Sequence, residues 1–103
     1  MKPTDFAKAL SNYLSLYLPG QRNVSTNTIK SYRDTFKLFL IYCQQSRHRS
    51  VDRLCLKDID KSLVLGFLDW LEQQRRNGIS TRNQRLACIH GFYRYMHIED
   101  PTG

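Results

Sequence analysis

The sequence lacks a long apolar run, which argues against a membrane-spanning helix. Such a helix needs about 18 or more apolar residues in succession, and polar or charged side chains interrupt every apolar stretch. The first residues lead into an amphipathic segment and not into the apolar centre of a secretion signal. We therefore expect a cytoplasmic protein without a membrane partner.

Cysteines are few and are poorly placed to hold a metal. Cys43, Cys55 and Cys88 are odd in number and widely spaced, and no CxxC pair occurs. Structural zinc sites need closely spaced Cys or His ligands, and the three histidines form no such pair either. We expect free thiols, with no metal and no cofactor.

Acidic residues are absent from the stretch between Gln73 and Ile98, although the chain as a whole contains nine. The same stretch contains five arginines: Arg75, Arg76, Arg82, Arg85 and Arg94. The formal net charge is +7. Lys and Arg gain affinity for phosphates by releasing condensed counterions. This distribution favours nucleic acid as the partner.

Strand-like alternation, internal repeats and low-complexity segments are also missing, whereas apolar residues recur at helical spacing. The periodicity predicts four helices at roughly 5–18, 26–45, 60–76 and 81–98. Short connections between amphipathic helices are typical of a bundle. We predict an all-α, compact four-helix bundle that forms a single domain over residues 1–103.

Polar residues and glycines mark the ends of these helices. The predicted amino-terminal caps are, in chain order, Thr4 or Asp5, Ser25 or Thr26, Asp58 or Asp60, and Ser80 or Thr81. We expect Asn77-Gly78 to end the third helix in a left-handed conformation and Asp100-Pro101 to stop the fourth. Gly66, inside the third helix, costs about 1 kcal/mol against Ala, which suggests close contact with another helix.

Two predicted helix starts carry the side chains that DNA-binding proteins use. Helix amino ends attract phosphates, and Ser25–Lys30 and Ser80–Arg85 add hydroxyls to such ends. Arg and Lys match guanine edges, and Asn and Gln match adenine edges; the candidates are Lys30, Arg82, Asn83, Gln84 and Arg85. Either segment alone fits a solvated helix cap, and the two together in a basic chain favour DNA contact.

Catalysis needs a nucleophile with a base in reach and a third group that orients the base, and no segment suggests that arrangement. The tyrosines at positions 13, 17, 32 and 93 fall on apolar stripes, where such rings usually pack in the core. Cys88 lies near basic residues and is interpreted as a small packed side chain. We expect no catalytic residue in this chain.

Two stretches resemble the core-binding, SAM-like domain of tyrosine recombinases and phage integrases. Ser25–Tyr32, followed by Phe36 and Phe39, is similar to the family's Thr-hydrophobic-x-x-Tyr opening. Ser80–Tyr95 is similar to its Thr-x-Asn-x-Arg-Leu-x-x-Ile-Arg-x-Phe-x-x-Tyr segment, with His90 where the family more often has Arg.

The resemblance implies a clamp on double-stranded DNA, with helices two and four against the major groove of a recombination half-site. Its contact residues would be Thr28, Lys30, Ser31, Ser80, Thr81, Arg82, Asn83, Gln84, Arg85 and His90. The family's catalytic Arg, Lys, His-x-x-Arg and Tyr belong to a downstream domain that this chain lacks. The implied partners are DNA, the catalytic domain of the same parent chain and neighbouring recombinase protomers.

Two other classes of function remain open from the residues alone. One is a free-standing helix-turn-helix regulator, which would place a turn of three or four residues before a single recognition helix. The other is a helical protein-protein interaction domain whose basic face meets an acidic partner. A small catalytic domain is disfavoured, because no acid-base or metal constellation occurs.

Overall fold

Four α-helices make up most of the fold. The structure, a computed structural model, describes residues 4–21, 23–50, 52–76 and 78–99. The helices are α1 (Asp5–Asn12), α2 (Thr26–Arg47), α3 (Lys61–Gln74) and α4 (Ile79–Glu99). A π-helical turn at Tyr13–Tyr17 and 3-10 turns at Leu18–Gly20 and Leu56–Asp58 complete the regular structure, and these ranges contain no β-strand. The all-α prediction is confirmed.

Aromatic rings connect all four helices in one core. The Phe92 ring of α4 lies 5.9 Å from Phe6 of α1 and 5.4 Å from Phe36 of α2. The Phe39 ring of α2 lies 5.2 Å from Phe67 of α3. These five rings are at most 2% exposed, and full burial of one such side chain stabilises a fold by about 1.5–3 kcal/mol. The predicted apolar stripes therefore do face one interior.

The first helix differs from the prediction of a regular helix over 5–18. Thr4 caps it, with Oγ1 accepting from the Ala7 amide at 3.1 Å. The α-helical geometry ends at Asn12, and the chain widens into the π-helical turn. In that turn the rings of Tyr13 and Tyr17 lie 5.0 and 4.7 Å from the Tyr95 ring. Both rings thus pack against one residue of α4, a tertiary contact that local periodicity does not encode.

The second helix begins at its predicted cap and ends later than predicted. Ser25 is the cap, but the helix continues two residues past its predicted end at residue 45, to Arg47. His48 ends it in a left-handed conformation, with φ of 56°. The amides of His48 and Arg49 both donate to the Cys43 carbonyl, which satisfies an acceptor that a helix end leaves free.

The third helix is shorter than the predicted 60–76. Asp60 caps it from outside, because Oδ1 accepts from the Leu63 amide at 2.8 Å. The left-handed residue after it is Arg76, with φ of 53°, and Gly78 has no positive φ. The predicted left-handed end at Asn77-Gly78 is therefore wrong at Gly78, while Asn77 lies outside the described residues.

The fourth helix starts two residues before the predicted 81. The Arg82 amide donates to the Gly78 carbonyl at 2.9 Å, so the first helical hydrogen bond begins at Gly78. Ser80 and Thr81 lie inside the helix and are not its caps, which corrects that prediction. The helix reaches Glu99, and the predicted stop at Asp100-Pro101 lies outside the described residues.

Gly66 marks a close approach of α3 to α2, as its position predicted. A Cβ atom at residue 66 would collide with the Tyr42 hydroxyl and come within 2.9 Å of Arg47 Nη2. The Tyr42 hydroxyl accepts a hydrogen bond from Arg47 Nε at 2.9 Å. The missing side chain thus makes room for a polar pair on α2.

Candidate nucleic-acid interface

The first turn of α2 is an exposed, hydroxyl-rich helix end. Ser25 Oγ accepts from the Thr28 amide at 3.1 Å and lies 3.0 Å from Thr28 Oγ1. Thr26, Asn27 and Lys30 are exposed together with Thr28. Amides in a first turn lack acceptors within the helix, and the helix dipole favours anions there. This turn therefore offers amides, hydroxyls and the Lys30 ammonium group to an anion.

The first two turns of α4 divide their side chains between solvent and α3. Arg82 is partly buried, and its Nε lies 2.9 Å from Glu72 Oε1 of α3. This contact is an ion pair outside hydrogen-bond geometry. The exposed polar side chains are Ser80, Asn83 and Gln84. The two amide side chains are therefore accessible, whereas Arg82 is engaged by the neighbouring helix.

The two predicted segments meet at one place, which we name the α2–α4 junction: Ser31, Thr35, Gln84 and Arg85. Gln84 Nε2 donates to Ser31 Oγ at 3.3 Å. Arg85 Nη1 donates to the Ser31 carbonyl at 3.3 Å and to Thr35 Oγ1 at 2.9 Å. Residues 50 or more positions apart in the chain thus form one hydrogen-bonded group.

The amino ends of α2 and α4 lie at the same end of this helix pair. Ser31 contacts Gln84, and further along, the Phe36 ring lies 5.4 Å from the Phe92 ring. Contacts thus advance along both helices in the same direction. The partial positive charges of both amino ends therefore occur side by side, next to an exposed polar surface.

Thr35 is the junction residue that sequence reasoning missed. Its side chain is fully buried, and its hydroxyl donates to the Ser31 carbonyl at 2.9 Å while accepting from Arg85. The available signal was a hydroxyl within the apolar stripe of α2, since Tyr32 and Phe36 flank it at core-facing positions. Such a residue needs an internal hydrogen-bond partner.

Arg85 is held by neutral groups. In the described ranges no carboxylate lies within ion-pair distance of it, and its buried Nε has no hydrogen-bond partner there. A partly buried charge without a counter-charge is costly. An anion at the adjacent exposed surface would offset that cost.

Beneath the junction, Cys88 is buried and remains a thiol. Burial raises its pKa, while a hydrogen bond with Thr35 and the charge of Arg85 act in the opposite direction. The net direction is upward, so the basic neighbours do not produce a reactive thiolate. This agrees with the interpretation of Cys88 as a packed side chain.

The predicted contact residues divide into a joined group and a separate one. Ser31, Gln84 and Arg85 come together at the junction. In α2, Thr28 lies about one turn before Ser31, and Lys30 directly precedes it. Ser80 and Thr81 lie about one turn before Gln84. His90 is exposed further along α4 and faces a groove shared with α3. The other residues of that groove are Lys61, Val64, Leu65, Leu68, Leu86 and Tyr93.

Metal-binding clusters and membrane-spanning helices are both absent from the described ranges. No cluster of three or more His, Cys, Asp or Glu side chains is placed there to hold a metal ion. No helix in that part of the chain is both long and apolar enough to cross a bilayer. The three cysteines are free thiols, with Cys43 and Cys88 buried and Cys55 partly exposed.

Comparison with known families identifies this helical arrangement. The pattern of the phage integrase N-terminal SAM-like domain matches residues 10–99. The chain belongs to this family. The resemblance drawn from Ser25–Tyr32 and Ser80–Tyr95 is confirmed, and the fold is that of an all-α SAM-like integrase domain. No solved structure matches the chain.

Relatives of this SAM-like domain carry integrase and recombinase names. "Putative integrase/recombinase y4rD" of Sinorhizobium fredii is 37% identical over 96 residues, which are 93% of this chain and 34% of the relative. "Putative integrase/recombinase y4rC" of the same organism is 37% identical over 100 residues, 97% of this chain and 30% of the relative. Tyrosine recombinase XerC of Pseudomonas syringae pv. tomato is 30% identical over 86 residues, which cover 82% of this chain and 26% of the relative. The chain thus spans between about a quarter and about a third of the length of these relatives.

Proposed function

We propose that this SAM-like domain is the DNA-binding clamp of a tyrosine recombinase or integrase and holds the duplex of a recombination half-site. The observation that carries the proposal is the side-by-side placement of the α2 and α4 amino ends, joined from Ser31 to Gln84 and Arg85. Two adjacent helix ends give phosphates two sets of amides and two dipoles. One helix end alone would give half of that.

The contacts follow from the chemistry of the exposed and partly exposed groups. Hydroxyls and helix amides suit phosphate oxygens, which fix the position of the protein, and we assign this role to Thr28, Ser31, Ser80 and Thr81. Amide and ammonium side chains suit base edges in the major groove, and we assign this role to Lys30, Asn83 and Gln84. His90 and Arg82 extend the surface along α4, and Arg85 supports it from below.

The chain acts as one part of a longer protein in this proposal. Its relatives bear recombinase names and are about three times its length, so cutting and rejoining of DNA belongs to a catalytic domain elsewhere in the parent chain. This domain contributes affinity and position, and no catalytic residue. Neighbouring recombinase protomers on the same DNA are its further partners.

The connection between α3 and α4 leaves residues 75–78 between the helices, a length that also fits a helix-turn-helix regulator. That alternative uses one recognition helix. The α2–α4 junction favours the clamp, because it brings a second helix end to the same surface. A domain for protein partners alone would not need this pairing of helix ends with DNA-binding side chains.

The test is an amide chemical-shift titration of the chain with a short DNA duplex at low and at moderate salt. We expect salt-sensitive shifts at residues 25–31 and 80–85. An Asn83→Ala variant should bind more weakly, whereas Gln44→Ala, an exposed amide near the other end of α2, should bind like the original. Absence of shifts at low salt would overturn the proposal in favour of a protein partner, and DNA cleavage by this chain alone would overturn its non-catalytic role.

A further inference from the structure

We propose that Arg85 is a positioning residue: it fixes the spacing of the two helix ends through Thr35 and Ser31 and does not itself read DNA. The inference rests on the proposed function and assigns a distinct task within the same surface. It replaces a direct base contact, which the position of Arg85 in a basic segment had suggested, by an internal one.

The geometry commits Nη1 of the Arg85 side chain to α2. Nη1 donates to both Thr35 Oγ1 and the Ser31 carbonyl, at 2.9 and 3.3 Å. Nε is buried without a hydrogen-bond partner in the described ranges. A base edge or phosphate would gain direct contact with these atoms only after both hydrogen bonds had broken. Nη1 and Nε of Arg85 therefore act from inside the protein.

The two acceptors explain what Arg85 controls. The Ser31 carbonyl also accepts from the Thr35 hydroxyl at 2.9 Å. The Arg85 guanidinium of α4 therefore joins two α2 groups that are already hydrogen-bonded to each other. Gln84, the preceding residue on α4, reaches Ser31 Oγ. Fixing Arg85 therefore fixes Gln84 against Ser31, one turn from the exposed side chains of both helix ends. Recognition groups lose contacts when their spacing is wrong by as little as about 0.5–1 Å.

Thr35 allows a test that no direct DNA contact can imitate, because its side chain is fully buried. Thr35→Val keeps the side-chain volume and removes the hydroxyl; Thr35→Ser keeps the hydroxyl and removes a methyl group. We expect Thr35→Val to weaken duplex binding about tenfold, which corresponds to one lost charge-assisted hydrogen bond, and Thr35→Ser to bind like the original. The opposite order would show that Thr35 acts through packing alone and would overturn the proposal.

Substitutions at Arg85 itself separate position from charge. Lys keeps the charge, but its nitrogen lies one bond nearer to the backbone than Nη1, so it falls short of both acceptors. Arg85→Lys should therefore weaken binding as much as Arg85→Gln. The matched control is Arg53→Gln, which removes an exposed charge beyond the other end of α2; a helix of this length spans about 33 Å, so its effect should be small.

Binding is measured by fluorescence anisotropy with a labelled duplex, at a temperature where circular dichroism confirms that each variant is folded. If Arg85→Lys binds like the original, Arg85 acts as a charge on DNA and the positioning role is wrong. If the original chain binds but Thr35→Val is unaffected, only the positioning role fails. If the original chain does not bind duplex DNA at all, the proposed function fails and this inference fails with it.

Discussion

At the scale of single residues, one hydroxyl limits what position 66 can hold. The Tyr42 hydroxyl occupies the space of a Cβ atom at Gly66 and is held there by Arg47 Nε at 2.9 Å. Ala would gain about 1 kcal/mol of helix propensity over Gly, while overpacking costs about 1–3 kcal/mol. The cost of the collision exceeds the gain in helix propensity, so an Ala side chain at this position has a net destabilising effect on the fold.

We therefore predict that Gly66→Ala lowers the free energy of unfolding by about 1 kcal/mol, measured by urea denaturation. In a Tyr42→Phe background the obstructing oxygen is gone, and the same change should be neutral or stabilising. Gly20→Ala is the control, since nothing lies within 4 Å of a Cβ at that position. Equal losses in both Tyr42 backgrounds would contradict the steric explanation.

The three thiols should differ in reactivity. Burial raises the pKa of the Cys43 thiol from 9.0 to about 11, so only about one molecule in a thousand carries its thiolate at pH 8. Cys88 is also buried with a raised pKa, whereas Cys55 is partly exposed. We predict one fast and two slow reactions with an aromatic disulfide reagent. Cys55→Ser should remove the fast phase, and rapid reaction of all three thiols would contradict the burial.

The raised pKa of Cys43 also makes the free energy of unfolding depend on pH. The unfolded chain loses this proton near pH 9.0, and the folded chain keeps it to about pH 11. The contribution of this thiol to the free energy of unfolding is fully present below pH 9. It is lost as the pH rises from 9 to about 11, because the unfolded state then binds fewer protons than the folded state. Ionisation of the Cys43 thiol should therefore favour unfolding at alkaline pH.

At the scale of whole elements, periodicity predicted the helices and their buried faces, but not their ends. Five apolar residues that recur at helical spacing along α3 are all buried: Leu63, Val64, Phe67, Leu68 and Leu71. A stripe repeats over several turns, so one exception does not hide it. A helix end depends on a few hydrogen bonds, and Gly78, Ser80 and Thr81 are all acceptable starts for α4. Sequence alone could not choose among them.

The end of α3 gives a prediction at this scale. Arg76 has a positive φ of 53°, a conformation that costs a residue with a Cβ about 1 kcal/mol. Arg76→Gly should raise the free energy of unfolding by about 0.5 kcal/mol after the extra freedom of the unfolded glycine is subtracted. Gln74→Gly, inside the last turn, should lower it by about 1 kcal/mol. Thermal unfolding of the two variants should therefore shift in opposite directions.

At the scale of the whole molecule, the candidate site was predictable as two segments and not as one surface. Hydroxyls, amides and arginines after two helix starts are visible in the sequence. The contacts of Arg85 with Ser31 and Thr35 span 54 and 50 positions of the chain and depend on how α2 and α4 pack. The packing of α3 against α4 likewise turns Arg82 toward Glu72. The residue types therefore predicted the chemistry of the surface, whereas the tertiary structure determined that Arg82 and Arg85 have internal partners.

Salt dependence is the property that the whole surface determines. If the α2 and α4 ends together make about six phosphate contacts, the logarithm of the association constant should fall with the logarithm of salt concentration with a slope near −5. Lys30→Gln removes an exposed charge at the α2 start, which in this proposal neutralises a phosphate in addition to reaching base edges, and should reduce that slope by about one unit. Arg53→Gln makes an equal change in net charge far from this surface and should leave the slope nearly unchanged, because charges beyond about 10 Å are largely screened. Equal slopes for the two variants would mean that net charge, and not the paired helix ends, drives binding.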